Sequence, residues 1–113
     1  MRQTPSSPRG MVTAPHHLAA SSASAVLREG GNAIEAMVAA AATIAVAYPH
    51  MNSIGGDGFW LVSERGRAPW AIDACGRAAA LATPRFYAER GLRAIPGRGP
   101  LAANTSAGAI SGW

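Results

Sequence analysis

Lysine is missing from this 113-residue chain: all ten basic residues are arginine, set against six acids, for a formal charge of +4. Up to Trp60 three arginines balance three acids, so the whole excess lies beyond it, in Arg65, Arg67, Arg77, Arg85, Arg90, Arg93 and Arg98. These are scattered, with no run and no interleaved aromatics, and the expectation is that the chain binds no nucleic acid. Cys75 is the only cysteine. It has no partner for an internal disulfide, and with three histidines it does not complete a zinc ribbon or finger. Aromatic residues amount to 6%, which leaves few large side chains for a core. Long apolar runs are absent too. The longest covers residues 36–42, is interrupted by Thr43 and closed by Pro49, and falls short of the roughly 20 residues that span a bilayer. Residues 1–10 lack the apolar stretch of a secretory signal. As written, the chain is expected to be cytoplasmic, with no membrane partner.

Alanine takes the place of what is missing, at 26 residues, and brings the hydrophobic share to 49% against 14% charged. That balance is too apolar for a disordered chain. The length supports one small domain and excludes a multi-domain enzyme.

Residues 1–9, rich in Pro and Ser, are expected to be a disordered leader, with residues 10–113 forming the folded part. Residues 10–14 favour a brief strand stopped by Pro15. Residues 16–29 are expected to be a helix with Leu18, Ser22, Ala25 and Val26 on one side, ended by Gly30-Gly31. Asn32 with Glu35 three positions on is the arrangement of a capping box, and it opens a helix over Ala33–Ala47. Thirteen of those fifteen residues are apolar. At 100° per residue Ile34, Met37, Val38 and Ile44 share one face, and Ala33, Ala36, Ala40 and Ala47 the opposite one. Both faces need partners, which predicts a helix between two layers. Residues 50–58 then form a glycine-rich loop. Residues 59–62 and 69–73 are expected to pair as an antiparallel hairpin about Gly66. Thr83-Pro84 opens a short helix that ends at Gly91. Residues 101–113 are too short to place.

Several residues have chemistry to offer. The Gly55-Gly56-Asp57-Gly58 loop has the consecutive glycine amides of an anion cradle, but it lacks a following helix and reads more simply as a tight helix-to-strand turn. His16, His17 and His50 would form an acid-base or metal cluster with Asp57 or Asp73 only if the fold gathered them; otherwise they are surface or capping residues. Cys75 is a nucleophile if a cation such as Arg77 depresses its pKa, and a small apolar residue otherwise. Arg77, flanked by glycine and alanine, has room to present its planar fork to a substrate carboxylate; its simpler reading is a solvated loop charge. No G-x-S-x-G elbow and no carboxylate pair stands out.

Three segments, taken together, carry a resemblance. Residues 10–16 (Gly-Met-Val-Thr-Ala-Pro-His), residues 27–36 (Leu-Arg-Glu-Gly-Gly-Asn-Ala-Ile-Glu-Ala) and residues 54–59 (Ile-Gly-Gly-Asp-Gly-Phe) resemble the N-terminal part of the gamma-glutamyltransferase (gamma-glutamyltranspeptidase) family. Order and spacing match on through Ile72-Asp73 to residues 107–113, which look like the family's Pro-Gly-x-Val-x-Gly stretch with its Pro-Gly replaced. The resemblance implies an α/β (α+β) fold: two helices plus a β-hairpin, as an incomplete portion of the αββα sandwich of an N-terminal-nucleophile hydrolase. It implies a precursor that cuts itself into large and small subunits, whose new N-terminal Thr attacks a gamma-glutamyl or related acyl amide and passes the acyl group to water or an amine. On that reading the Thr lies beyond Trp113, this chain carries no catalytic residue and is inactive alone, and its partners are the small amide substrate, the remainder of the large subunit and the small subunit. No cofactor or metal is implied. Two residues after Asp73, where gamma-glutamyl-specific members carry an arginine for the substrate carboxylate, this chain has Cys75. Arg77, two residues further and on the same side of an extended backbone, is the expected substrate-binding residue in its place. The alternatives are an amidase of the cephalosporin-acylase type, favoured by Cys75, and a truncated product without catalysis.

Overall fold

The computed structural model describes residues 4–102 and 105–113, and the chain divides into two units, residues 1–53 and 54–113. The leader expected over residues 1–9 lies partly outside the described residues; residues 4–9 form neither helix nor strand, with a turn at Pro8-Arg9.

The first unit is a helix pair. Helix α1, His17–Arg28, is opened by the His16 side chain, which accepts from the Leu18 amide, and is closed at Gly30, whose φ of +92° suits glycine. Gly31 serves differently: a Cβ there would lie 2.5 Å from Val26 Cγ1, so its missing side chain lets the chain double back against α1. Helix α2, Ala33–Ala47, opens with the expected capping box. Asn32 Oδ1 accepts from the amides of Ile34 (2.9 Å) and Glu35 (3.0 Å), and Glu35 Oε2 accepts from the Asn32 amide at 2.8 Å.

The helices meet through small residues. Ala19 and Ala23 of α1 pack with Ala36 and Ala40 of α2, flanked by Val12, Ala14, Val26, Leu27 and Ile44. Each buried methyl contributes about 0.8 kcal/mol, so the interface gains from close backbone approach more than from side-chain bulk. Three sequence expectations are corrected here. The buried side of α1 is Ala19 and Ala23, while Leu18 is exposed. On α2 Ala36 and Ala40 of the alanine face are buried, whereas Ala33, Ile34, Met37 and Val46 are exposed, so burial on both faces is not met in this chain. Residues 10–14 form no strand, having no ladder partner; Val12 and Ala14 pack on the helices instead.

In the second unit strands β1, Gly58–Val62, and β2, Trp70–Ala74, pair antiparallel in the register Gly58↔Ala74, Trp60↔Ile72, Val62↔Trp70. Gly66 turns the hairpin at φ +79°. Phe59 and Leu61 project from one face and are exposed. Thr83 caps helix α3, Pro84–Ala88, through Oγ1, and Gly91 at φ +73° follows it. A last turn, α4 over Ala109–Gly112, packs on both strands. Trp60 Nε1 is buried there without an acceptor among the described residues, and Gly112 is so close that a Cβ would sit 2.6 Å from Ala74 Cβ.

Candidate functional site

Three segments of the second unit interlock where β2 ends: the glycine loop before β1, the exit Cys75-Gly76-Arg77, and the stretch from Thr105 to Ala109. Asp57 Oδ1 accepts from the Gly76 amide at 2.9 Å and from Thr105 Oγ1 at 3.2 Å. The Ser106 amide donates to the Arg77 carbonyl at 2.9 Å, and Ala78 forms an isolated antiparallel bridge with Thr105. From the other side, the carbonyl of Gly56 accepts from the amides of Gly108 (3.0 Å) and Ala109 (2.9 Å).

Glycine is obligatory at two of these crossings. A Cβ at Gly76 would fall 1.4 Å from the Ser106 carbonyl oxygen, and one at Gly108 would fall 2.1 Å from the Ala74 carbonyl oxygen. The glycines of the loop itself are less constrained: Gly56 and Gly58 are not in the positive-φ region, and a Cβ at Gly56 would meet nothing within 4 Å. The loop is a helix-to-strand connection that makes long-range contacts through the Asp57 side chain and the Gly56 carbonyl.

Asp73 and Cys75 form a local turn, with the Cys75 amide donating to Asp73 Oδ1 at 3.0 Å. The same carboxylate takes the thiol as a hydrogen-bond partner, which lowers the Asp73 pKa. It also pushes the thiol up to about 11, with smaller contributions from desolvation and from the charges of Asp73 and Asp57. This corrects one option for Cys75: the groups that set its pKa are carboxylates, not Arg77, and at neutral pH it is a protonated thiol rather than a nucleophile.

Arg77 follows directly, with its backbone held on both sides and its side chain exposed. Among the described residues its guanidinium makes no ion pair, whereas Arg67 pairs with Glu64 and Arg85 with Glu89. The histidines do not gather into a ligand set. His16 caps α1 and stacks on His17 at 4.6 Å, while His50 packs on Tyr48 at 4.2 Å; no group of three metal-ligating side chains occurs among the described residues. The contacts of Asp57, Thr105 and Ser106 were not readable from sequence. The one available signal was an acid inside a glycine loop, which names no partner 19 or 48 positions away.

Residues 19–113 match the family model for gamma-glutamyltranspeptidase. The chain belongs to the gamma-glutamyltranspeptidase family. It is 64% identical over 107 residues to the oxamate amidohydrolase proenzyme of Klebsiella pneumoniae, covering 95% of this chain and 20% of that protein. To the glutathione hydrolase-like YwrD proenzyme of Bacillus subtilis it is 40% identical, over 91% of this chain and 19% of the relative. The chain thus spans about a fifth of the length of these relatives. Among solved structures, the gamma-glutamyltranspeptidase of Helicobacter pylori superposes with a TM-score of 0.81 at 32% identity, over 97% of this chain and 32% of that one. The gamma-glutamyltranspeptidase of Pseudomonas nitroreducens gives 0.76 at 34%, over 95% and 33%. The helix pair and hairpin are therefore part of a gamma-glutamyltranspeptidase fold, and the family's members are hydrolases and transferases acting on amides.

Proposed function

We propose that residues 10–113 are an N-terminal portion of the large subunit of an amidohydrolase, preceded by a leader over residues 1–9, and that the substrate is a small amide bearing a carboxylate, with oxamate the first candidate. The observation that carries this reading is the 64% identity to an oxamate amidohydrolase proenzyme over nearly the whole chain. The nucleophile is the N-terminal Thr of a small subunit outside this sequence, so this chain is inactive alone and works with the rest of its large subunit and with that small subunit.

The chemistry is acyl transfer. The Thr hydroxyl adds to the amide carbonyl, its proton passing by way of the Thr amine to the departing nitrogen; the C–N bond breaks and ammonia leaves. Water then adds to the ester and releases the acid, so that oxamate and water give oxalate and ammonium. Arg77 holds the substrate carboxylate through its two parallel N–H donors, a task suited to an exposed guanidinium without an ion-pair partner among the described residues.

The second reading, hydrolysis or transfer of a gamma-glutamyl group, is favoured by the glutathione hydrolase proenzyme of Bacillus subtilis, 41% identical over 88 residues. The test expresses the full reading frame and compares ammonia release from oxamate with p-nitroaniline release from gamma-glutamyl-p-nitroanilide. Oxamate turnover is expected. Arg77→Ala is expected to raise its KM about 10-fold or more, as loss of a charged hydrogen-bonding pair does. Exclusive use of the anilide selects the second reading, and turnover only of amides without a carboxylate points to an acylase and overturns the role of Arg77.

A further inference from the structure

Arg77 follows a strand end, and strand ends fray unless something pins them. Here the residue before it and the residue after it are both tied. Gly76 donates its amide to Asp57 Oδ1, and Ala78 is bridged to Thr105, whose hydroxyl donates to that same oxygen. One carboxylate oxygen therefore gathers the two strips of backbone that flank Arg77, and the Ser106 amide closes the clamp on the Arg77 carbonyl. The absent Cβ of Gly76 makes the approach sterically feasible, since any side chain there would run into Ser106. Asp57 is itself exposed and makes no ion pair among the described residues. Both of these hydrogen bonds on Oδ1 run to this crossing.

We propose that Asp57 is a positioning residue for Arg77: by accepting from Gly76 and Thr105 it sets the direction in which the guanidinium leaves the backbone, and so the fit of the substrate carboxylate. This rests on the reading of Arg77 as the carboxylate-binding residue. Two consequences separate positioning from support of the fold. Ground-state recognition of the carboxylate should suffer while the chemical step, carried out by residues elsewhere, keeps its rate. What matters is the acceptor oxygen rather than the charge, so asparagine should serve.

The experiment uses the full-length, processed protein with whichever of oxamate and gamma-glutamyl-p-nitroanilide it turns over, both of which carry a carboxylate. Asp57→Ala is expected to raise KM about 5- to 20-fold, the loss of one to two hydrogen bonds, with kcat held within about twofold. Asp57→Asn is expected to restore KM to within about twofold of the parent, and Thr105→Val to give a smaller rise than Asp57→Ala. Asp57→Ala combined with Arg77→Ala is expected to be no worse than Arg77→Ala alone, because a misplaced group costs nothing further once it is removed. An Asp57→Ala protein with unchanged KM, with a loss confined to kcat or to yield of folded protein, or with an effect that multiplies that of Arg77→Ala, overturns the proposal. Turnover of neither amide, or an Arg77→Ala protein with unchanged KM, overturns instead the functional reading on which it rests.

Discussion

The amide of Cys75 donates to Oδ1 of Asp73 at 3.0 Å, and the same carboxylate is the main influence on the Cys75 thiol. Ionising the thiol would set a thiolate against an anion and break its hydrogen bond, so the proton is held until about pH 11. Alkylation of Cys75 by iodoacetamide, followed by mass spectrometry of its peptide, should be slow at pH 7 to 8 and rise only in strongly alkaline buffer. Asp73→Asn should bring the midpoint back toward the ordinary thiol range of about 8.5. A midpoint at or below that range in the parent protein would contradict the arrangement. For Asp73 the sign is opposite. Its folded-state pKa is depressed, so its contribution to stability is present above the unfolded carboxylate pKa and fades as pH falls through the folded value.

Gly76 and Gly56 provide a paired test of close approach. At Gly76 a methyl group would overlap the Ser106 carbonyl, and Gly76→Ala should cost about 1 to 3 kcal/mol or more, as overpacking does. At Gly56 there is open space and no positive φ, so Gly56→Ala should be neutral or stabilise by up to about 1 kcal/mol through the unfolded chain. Urea denaturation of the full-length variants decides the comparison; equal effects would refute the placement of residues 105–108 against the end of β2.

Helix α2 begins on the reciprocal pair Asn32 and Glu35, and Asn32→Ala leaves the Ile34 and Glu35 amides without their acceptor. A loss of about 1 kcal/mol is expected, largely recovered in Asn32→Ser. The same denaturation measurement checks both.

Purified alone, this chain should not melt as a native protein does. None of its described large side chains is fully buried, while Val46 (82%), Leu61 (78%) and Phe59 (71%) stand open to solvent. The purified 113-residue chain is expected to bind a hydrophobic dye such as ANS and to lose structure gradually on heating. A sharp, reversible transition would be inconsistent with so little buried bulk.

The boundaries of α1, α2 and the hairpin, and the start of α3, were legible because each depends on groups within a turn of one another; α3 itself ends at Ala88, short of the expected Gly91. Examples are the Asn32–Glu35 box, the Thr83 cap ahead of Pro84, and the positive φ of Gly30, Gly66 and Gly91. Arg77 could be nominated from its small neighbours, but nothing in that stretch of chain names the groups that hold it. Residues 10–14 had strand composition and no partner to pair with. Composition likewise marked α2 as apolar on both sides without saying which side is covered.

By itself the sequence determined the helix ends, the hairpin and membership of the gamma-glutamyltranspeptidase family, since caps, turns and motifs are written in adjacent residues. Only the tertiary structure decided that alanines rather than Ile34 and Met37 form the helix interface, and that Asp57 accepts from both the Gly76 amide and the Thr105 hydroxyl beside Arg77. Those outcomes depend on which surfaces meet between segments distant in the chain, as Asp57 meets Gly76 and Thr105 at separations of 19 and 48 positions, and local pattern does not encode such meetings.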